Sequence, residues 1–424
     1  MAAQVGLTAM TVHPMFRTWK RHKAGVALIV LQIALTFAII CNALFLIGQR
    51  IERLQRPTGV QEDGLIRISQ TWLDAPDAGT PTGLEKLDAM QRADLEALRR
   101  LPGVVDVAAS DSMPLQGAVW SGDLRLSATQ KAASGQAALY YGDEHLLPVF
   151  GLKLLAGRNF TAAEITHQTI RSTGLPPVCI VTDALSGRLF PDGGALGSTI
   201  YVNQHPLTIV GIVARLQTPT LAEWGEDWAY DSIVLPQRLD GASASYALRV
   251  QPGREQAVIQ AARTALFALD PLREMPDTWG VQTMREIRHK AYRGDRGTVI
   301  VLATVCLILL VVTAAGIVGL TSFWVGQRRR QIGIRRALGA RQLDILRYFQ
   351  GENLAMAAVG VLLGALLAAV LNLWLMSHGA APRLPCAYLL AGALALLAIG
   401  QAAVYVPARR ASRLPPVAAT RALP

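Results

Sequence analysis

Cysteine is scarce in this chain: four in 424 residues, at positions 41, 179, 306 and 386. Cys41, Cys306 and Cys386 fall in or beside long apolar runs. Cys179 is then alone in the polar stretch between the first two runs, which excludes a disulfide framework there. All four read as small packing residues. Charge is also thin, 17% against 51% hydrophobic, a balance seldom found in a purely soluble protein. Several enzyme motifs are missing: a G-x-x-x-x-G-K-[S/T] phosphate loop, H-E-x-x-H, G-x-S-x-G and paired Cys/His zinc spacing. His145, His167, His205 and His289 are scattered singly and read as surface or packing residues. Asp143-Glu144-His145 offers ligand types in a row, yet adjacent side chains seldom converge on one ion.

What the chain has instead is length without charge. Ala24–Ile47, Thr298–Val325, Leu354–Met376 and Cys386–Val406 contain no charged residue. At ~1.5 Å per residue about 20 residues cross a hydrocarbon core, so each run is long enough to span. The absence of acidic residues inside the runs, with Glu352 only at the start of the third, argues against a proton-driven transporter. The net charge of +11 is unevenly placed. Gln49–Arg296 holds 25 Lys+Arg against 28 Asp+Glu, leaving 16 of the 41 basic and 2 of the 30 acidic residues for the rest. Nearly all the basic residues outside that segment flank the runs, at Arg17, Lys20, Arg21 and Lys23, from Arg328 to Arg347, and at Arg409, Arg410, Arg413 and Arg421. This is the pattern of positive-inside topology rather than of nucleic-acid binding, and it needs an even number of spans.

The fold expected is therefore a membrane protein of four transmembrane α-helices with a large α+β extracytoplasmic domain inserted between the first and second. The boundaries are 1–23 cytoplasmic, 24–47 first helix, 48–296 external domain, 297–326 second helix and 327–351 cytoplasmic. They continue as 352–376 third helix, 377–385 external loop, 386–406 fourth helix and 407–424 cytoplasmic tail. The first run is too long for a cleaved signal peptide and no A-x-A-like site comes after it, so it reads as an uncleaved anchor. Gln32, Thr36 and Asn42 inside it read as helix-packing residues.

Within the external segment, Glu85–Arg100, Ala184–Phe190 and Arg254–Leu269 read as helices. Strands are expected at 177–181, 198–202, 205–213, 232–235 and 246–250. This order suggests two α+β lobes, the more β-rich one, about Gly157–Leu235, inserted into the other. Helix-compatible Arg50–Arg56 and Val281–Arg296 suggest that the first two membrane helices project as a stalk.

The segment between the second and third runs is the candidate functional element. As a helix, Ile334, Ala337, Leu338 and Arg341 share one side and Gln331, Arg335 and Arg336 the other. Gly339 permits a bend before a second stripe of Leu343, Leu346 and Phe349. Such a segment could lie on anionic lipid or insert into a cytoplasmic partner, and the residues leave both readings open.

Gln331-Ile-Gly-Ile-Arg-Arg-Ala-Leu-Gly-Ala340 resembles the E-I-G-[IV]-x-[RK]-A-[LI]-G-A signature of MacB/FtsX-like permeases of ABC transporters, placed between the second and third spans as in that family. Pro407-Ala-Arg-Arg-Ala-Ser-Arg-Leu-Pro-Pro-Val-Ala-Ala-Thr-Arg421 is similar to the family's closing motif. Val149–Arg158, Val181–Phe190 and Leu207–Val213 resemble the MacB-like periplasmic core domain. The resemblance implies an ATPase-coupling element made of Gln331, Ile332, Gly333, Ile334, Arg335, Arg336, Ala337, Leu338, Gly339 and Ala340, with Gln331 in place of the usual Glu. It implies a non-catalytic permease subunit that binds no cofactor itself. ATP and Mg are expected to be used by a separate cytoplasmic ABC ATPase, and a second permease completes a dimer. Energy would pass along spans one and two to the external domain, in a bacterial inner membrane. The role implied is efflux of a periplasmic substrate, with a periplasmic adaptor and outer-membrane channel as further partners besides the bilayer, and no nucleic acid. Regulation of cell-wall hydrolases and lipoprotein release are the alternatives within the same family.

Overall fold

The computed structural model describes residues 23–169, 174–221, 227–378 and 383–413. Arg17, Lys20, Arg21, part of the expected loop 377–385 and the tail beyond Arg413 lie outside them. The chain divides into two units, Met1–Gln55 with Gly294–Pro424, and Arg56–Arg293.

The first helix, α1 (Lys23–Gln55), belongs to the helical unit and stops two residues before Pro57, whose ring cannot continue a helix interior. The second unit begins with β1 (Leu65–Trp72), α2 (Pro81–Arg99) and β2 (Val104–Ala109). It continues through β3 (Trp120–Arg125), β4 (Gly135–Gly142), α3 (Leu146–Phe150), β5 (Leu154–Gly157), β6 (Thr166–Gln168), β7 (Val178–Thr182) and α4 (Asp183–Leu189). Then come β8 (Thr199–Val202), β9 (His205–Val213), β10 (Ser232–Leu239), β11 (Ser243–Val250), α5 (Glu255–Leu269), β12 (Arg273–Glu274), β13 (Val281–Thr283) and α6 (Met284–Ala291).

Two sheets result. The first has the order β12-β1-β11-β2 with β13 beside β1. Helix α2 starts where Thr80 accepts a hydrogen bond from the Gly83 amide at 3.1 Å and Pro81 occupies the first turn, both helix-starting devices. Its Leu87, Leu95 and Leu98 join Val258, Ala262 and Leu266 of α5 over Ile66, Ile68, Tyr246 and Leu248 of the sheet. In the second sheet β4-β3-β8-β9-β7-β10 run in order, and β10 then pairs in parallel with β4, from Ser232 opposite Ala138 to Pro236 opposite Gly142. The strands thus close into a ring around Leu139, Val181, Ile200, Val202, Leu207, Ile209, Ile233 and Leu235.

Two sheets agree with two lobes, but the ring begins at Trp120, not at Gly157. Trp120-Ser-Gly-Asp-Leu-Arg125 and Gly135-Gln-Ala-Ala-Leu-Tyr-Tyr-Gly142 hold no β-branched residue and three glycines, so their strand signal is mixed and tertiary pairing decides.

The helical unit adds α7 (Arg293–Gln327), α8 (Arg329–Ala337), α9 (Gln342–Ser377) and α10 (Cys386–Ser412). Four of its helices, α1, α7, α9 and α10, are long and apolar enough to cross a membrane. Helix α1 lies at the centre, with half of its apolar window buried against 17% for α7. Glycines make the close contacts: a Cβ on Gly360 would fall 2.7 Å from Ile33 Cγ2, and one on Gly364 2.7 Å from the Ala34 carbonyl oxygen. The polar residues of α1 face its neighbours, as their spacing suggests. Gln32 donates to the Val312 carbonyl (3.2 Å), Thr36 meets Thr313 (2.9 Å), and Asn42 donates to the Ala38 and Ala368 carbonyls (3.0 and 3.3 Å). Near its C-terminus, Arg50 pairs with Asp295 at 2.8 Å. All four cysteines are free thiols, Cys41, Cys179 and Cys306 buried and Cys386 exposed.

Candidate functional site

The basic segment forms a short helix and a turn. Helix α8 ends in a pattern that satisfies two last-turn carbonyls: the Ala340 amide donates to Arg335 and the Gly339 amide to Arg336, at 3.0 and 3.1 Å. Gly339 sits at φ +100°, a left-handed conformation that costs a side-chain-bearing residue dearly. The bend expected at Gly339 is there. Beyond the bend the chain departs from the expected layout: Gln342 onward is already α9, which runs without interruption into the third apolar stretch. The Arg341 amide donates to Asp344 at 2.9 Å and caps this start.

The face that α8 turns inward is not the one its periodicity suggested. Ile332 and Gly333 are buried, and Ile332 packs with Ile345, Phe349, Val325 and Ala408. Ile334 (48% exposed) and Leu338 (83%) point outward, and Gln331, Arg335, Ala337 and Gly339 are exposed beside them. The half-buried Arg336 donates to the Ser412 carbonyl at 3.0 Å, and Ala340 is half-buried in the turn. The inward stripe at i and i+1 suffices because α8 meets α9 and α10 at one end of the bundle rather than lying along a groove.

Between α8 and α9 lies a cavity of about 30 Å³ lined by Arg328, Gln331, Ile332, Arg335, Ile345, Tyr348 and Phe349. Arg335 stacks over the Tyr348 ring at 5.1 Å. At the head of α8, Arg328 grips Glu352 through both guanidinium nitrogens, at 2.9 and 3.3 Å, and lies 5.9 Å from the Trp324 ring centroid. Glu352 is 2% exposed. Sequence reading singled out neither Arg328 nor Glu352 as a site residue. A usable signal existed, because Asp344 and Glu352 are the two acidic residues outside 49–296, and Asp344 has the position of a helix cap.

Elsewhere, the Asp143-Glu144-His145 run diverges. Asp143 accepts from the Ala109 and His145 amides at 3.0 and 3.1 Å, while the His145 ring meets Asp106 at 2.9 Å. His167 is not alone as its sequence context suggested. Its Nδ1 lies 3.0 Å from Asp240, and Asp88, His167 and Asp240 bring potential ligand atoms within 4.8 Å of one another. Their oxygens are already engaged: Arg238 and Arg92 hold Asp88, and Gln91 donates to Asp240 at 3.2 Å. The cluster is a polar network joining α2, β6 and the end of β10. Burial pushes the Asp240 carboxyl up to about 6, against the hydrogen bond from His167.

A family model described as the MacB-like periplasmic core domain matches residues 25–266, more than half the chain, and one described as the FtsX-like permease C-terminal matches 303–416. The chain belongs to the MacB/FtsX-like family of ABC transporter permeases. It is 28% identical over 289 residues to the macrolide export ATP-binding/permease protein MacB of Neisseria meningitidis serogroup A, a match covering 66% of this chain and 43% of that protein. It is 25% identical over 417 residues to the protein of the same name from Pasteurella multocida, covering 97% and 59%. The uncharacterized permease YvrN of Bacillus subtilis is 26% identical over 295 residues, covering 67% and 69%. Among solved structures, the periplasmic region of MacB from Actinobacillus actinomycetemcomitans matches at 15% identity and a TM-score of 0.33, covering 56% of this chain and 97% of that one. The large α+β unit of this permease is thus of the periplasmic MacB type and lies between its first and second candidate membrane helices.

Proposed function

We propose that this chain is the transmembrane subunit of an ATP-driven ABC transporter in a bacterial inner membrane, paired with a second permease and with separate cytoplasmic ABC ATPases. Its task is to convert ATPase closure into movement of the periplasmic unit, for export of a periplasmic substrate. Segment 331–340 is the docking element. The observation that carries this reading is the outward face of α8, where Ile334 and Leu338 stand exposed among arginines on a helix whose other side is fastened to α9 and α10. An exposed apolar pair at i and i+4 is a helix-in-groove anchor, and the arginines around it suit a groove rimmed by carboxylates.

The four span-length helices carry no charged lining along their apolar stretches, which supports mechanical transmission over an ion path. A route through α9 adds to the one along spans one and two: α8 is tied to α9 and α10, and α9 meets α1 closely at Gly360 and Gly364 and through Asn42.

Leu338→Glu tests the docking face. The variant should keep its yield and melting temperature, since the side chain is exposed, while co-purification of an ABC ATPase with the detergent-extracted permease falls roughly tenfold or more, as expected when a hot-spot anchor becomes a charge. Undiminished ATPase recovery with Leu338→Glu would refute the assignment of α8 as the docking element.

A further inference from the structure

We propose that the Arg328–Glu352 ion pair is the latch through which α8 moves the third span, making Glu352 the positioning residue of energy coupling. This rests on the docking reading above and adds to it the route by which force leaves the docked helix.

The hold of α8 on the bundle is mostly polar. Of its nine residues only Ile332 and Gly333 are buried, too little apolar surface to transmit a pull without slipping. Polar ties add to the attachment, besides the stacking of Arg335 on Tyr348. Arg336 donates to a backbone carbonyl near the end of α10, at 3.0 Å. Arg328 presents a two-pronged fork to Glu352, a geometry that fixes direction as well as distance. The two ends of this tie sit on different elements. Arg328 caps α8 and belongs to the piece a docked partner would displace. Glu352 lies well inside α9, is 2% exposed, and shares that helix with the buried Ile345 and Phe349.

A buried ion pair is weak evidence of a purely stabilising role, because apolar replacements serve stability as well or better; its better-attested use is to fix one register between two elements. Here the register fixed is that of α8 on α9. Gly360 and Gly364 lie eight and twelve residues beyond Glu352 on α9, about 12 and 18 Å along the axis at the usual rise, and there the helix meets Ile33, Ala34 and Phe37 of α1 without side-chain padding. A pull on Glu352 therefore reaches α1 along one rigid rod. Gln331 fits the same account. It lines the cavity with Arg328 and Arg335, and a carboxylate at that position would compete with Glu352 for Arg328.

The test uses the full permease with the ABC ATPase that co-purifies with it, reconstituted in lipid nanodiscs. The variants are Glu352→Gln, Arg328→Gln and the exchange Arg328→Glu with Glu352→Arg. Each single variant should retain the ATPase at wild-type stoichiometry yet lose roughly tenfold of the permease-dependent change in its turnover, within the range of ordinary coupling effects. The exchange should recover at least half of that change. A second measurement needs no partner: trypsin should cut detergent-purified Glu352→Gln within 328–336 several-fold faster than wild type, because the helix has lost its tie. Full coupling in the single variants overturns the latch. So does loss of the ATPase from them without rescue by the exchange, which would make the pair an assembly contact. Unchanged trypsin cleavage also overturns it, since α8 is then held without the pair. A wild-type permease that captures no ATPase refutes the docking reading instead, and the trypsin arm still decides whether the pair holds the helix.

Discussion

Asp94 is a tightly held charge in the periplasmic-type unit. It receives Arg273 at 3.0 and 3.2 Å and the Tyr246 hydroxyl at 2.9 Å, and Gln70 also donates to it. Both ionic side chains are almost fully buried, at 1% and 2% exposure. The desolvation of these charges is offset only while the network is complete, so Asp94→Ala should cost roughly 3–5 kcal/mol by leaving Arg273 buried and unpaired. The check is a thermal melt of the detergent-purified chain, where the transition of this unit should fall by about 10 °C. Asp240 makes the opposite kind of contribution. Its folded pKa of about 6 lies above the ordinary 3.8, so the folded state keeps a proton that the unfolded chain releases. Its contribution is fully present below pH 3.8 and is lost as pH rises through 6. Asp240→Asn should remove that slope. In hydrogen exchange corrected for intrinsic rates, protection of 232–239 should change less between pH 4 and pH 6.5 in the variant than in wild type.

Helix-to-helix contact in the bundle depends on residues with no side chain at all. Gly364→Leu must push α9 off α1, because even its first carbon would fall 2.7 Å from the Ala34 oxygen and 2.8 Å from Phe37 Cβ. Overpacking of this kind costs roughly 1–3 kcal/mol or more. Gly319→Leu on α7, where nothing lies within 4 Å, is the control. Lower yield and earlier aggregation on size exclusion should appear for position 364 and not for 319. Helix α8 shows the limit of reading burial from sequence: a helical wheel ranks Ile334 and Leu338 as the buried pair on hydrophobicity alone, whereas the fold buries Ile332 and Gly333.

For the molecule as a whole, the four apolar helices could be read from runs without charge, because that pattern is dictated by the bilayer and needs no tertiary partner. The basic segment and its bend at Gly339 were equally readable, since glycine with positive φ is a local requirement. Two features were not. The ring of strands depends on β10 finding β4 across a long intervening stretch of chain, and β3 and β4 mix aromatic strand formers with glycine and no β-branched residue. The Arg328–Glu352 pair joins residues 24 apart that become neighbours only after the turn between α8 and α9 forms, and nothing in their local sequence marks them as partners. Local chemistry is therefore written in this chain more plainly than long-range pairing.

The closure of the ring also fixes when the unit can be finished. Synthesis delivers β4 long before β10, and β1 long before its partner β11, which runs opposite it from Leu65 with Arg249 to Thr71 with Ser243. The ring cannot close until residues through Leu239 have emerged, and the first sheet lacks its last strand until Thr283 has, whatever hairpins form earlier. A nascent chain truncated before that point carries open strand edges from both sheets and few of their long-range contacts, the condition in which chains are prone to aggregate. The unit therefore matures late, and its growing chain needs protection until the stretch just before the second membrane helix has been made.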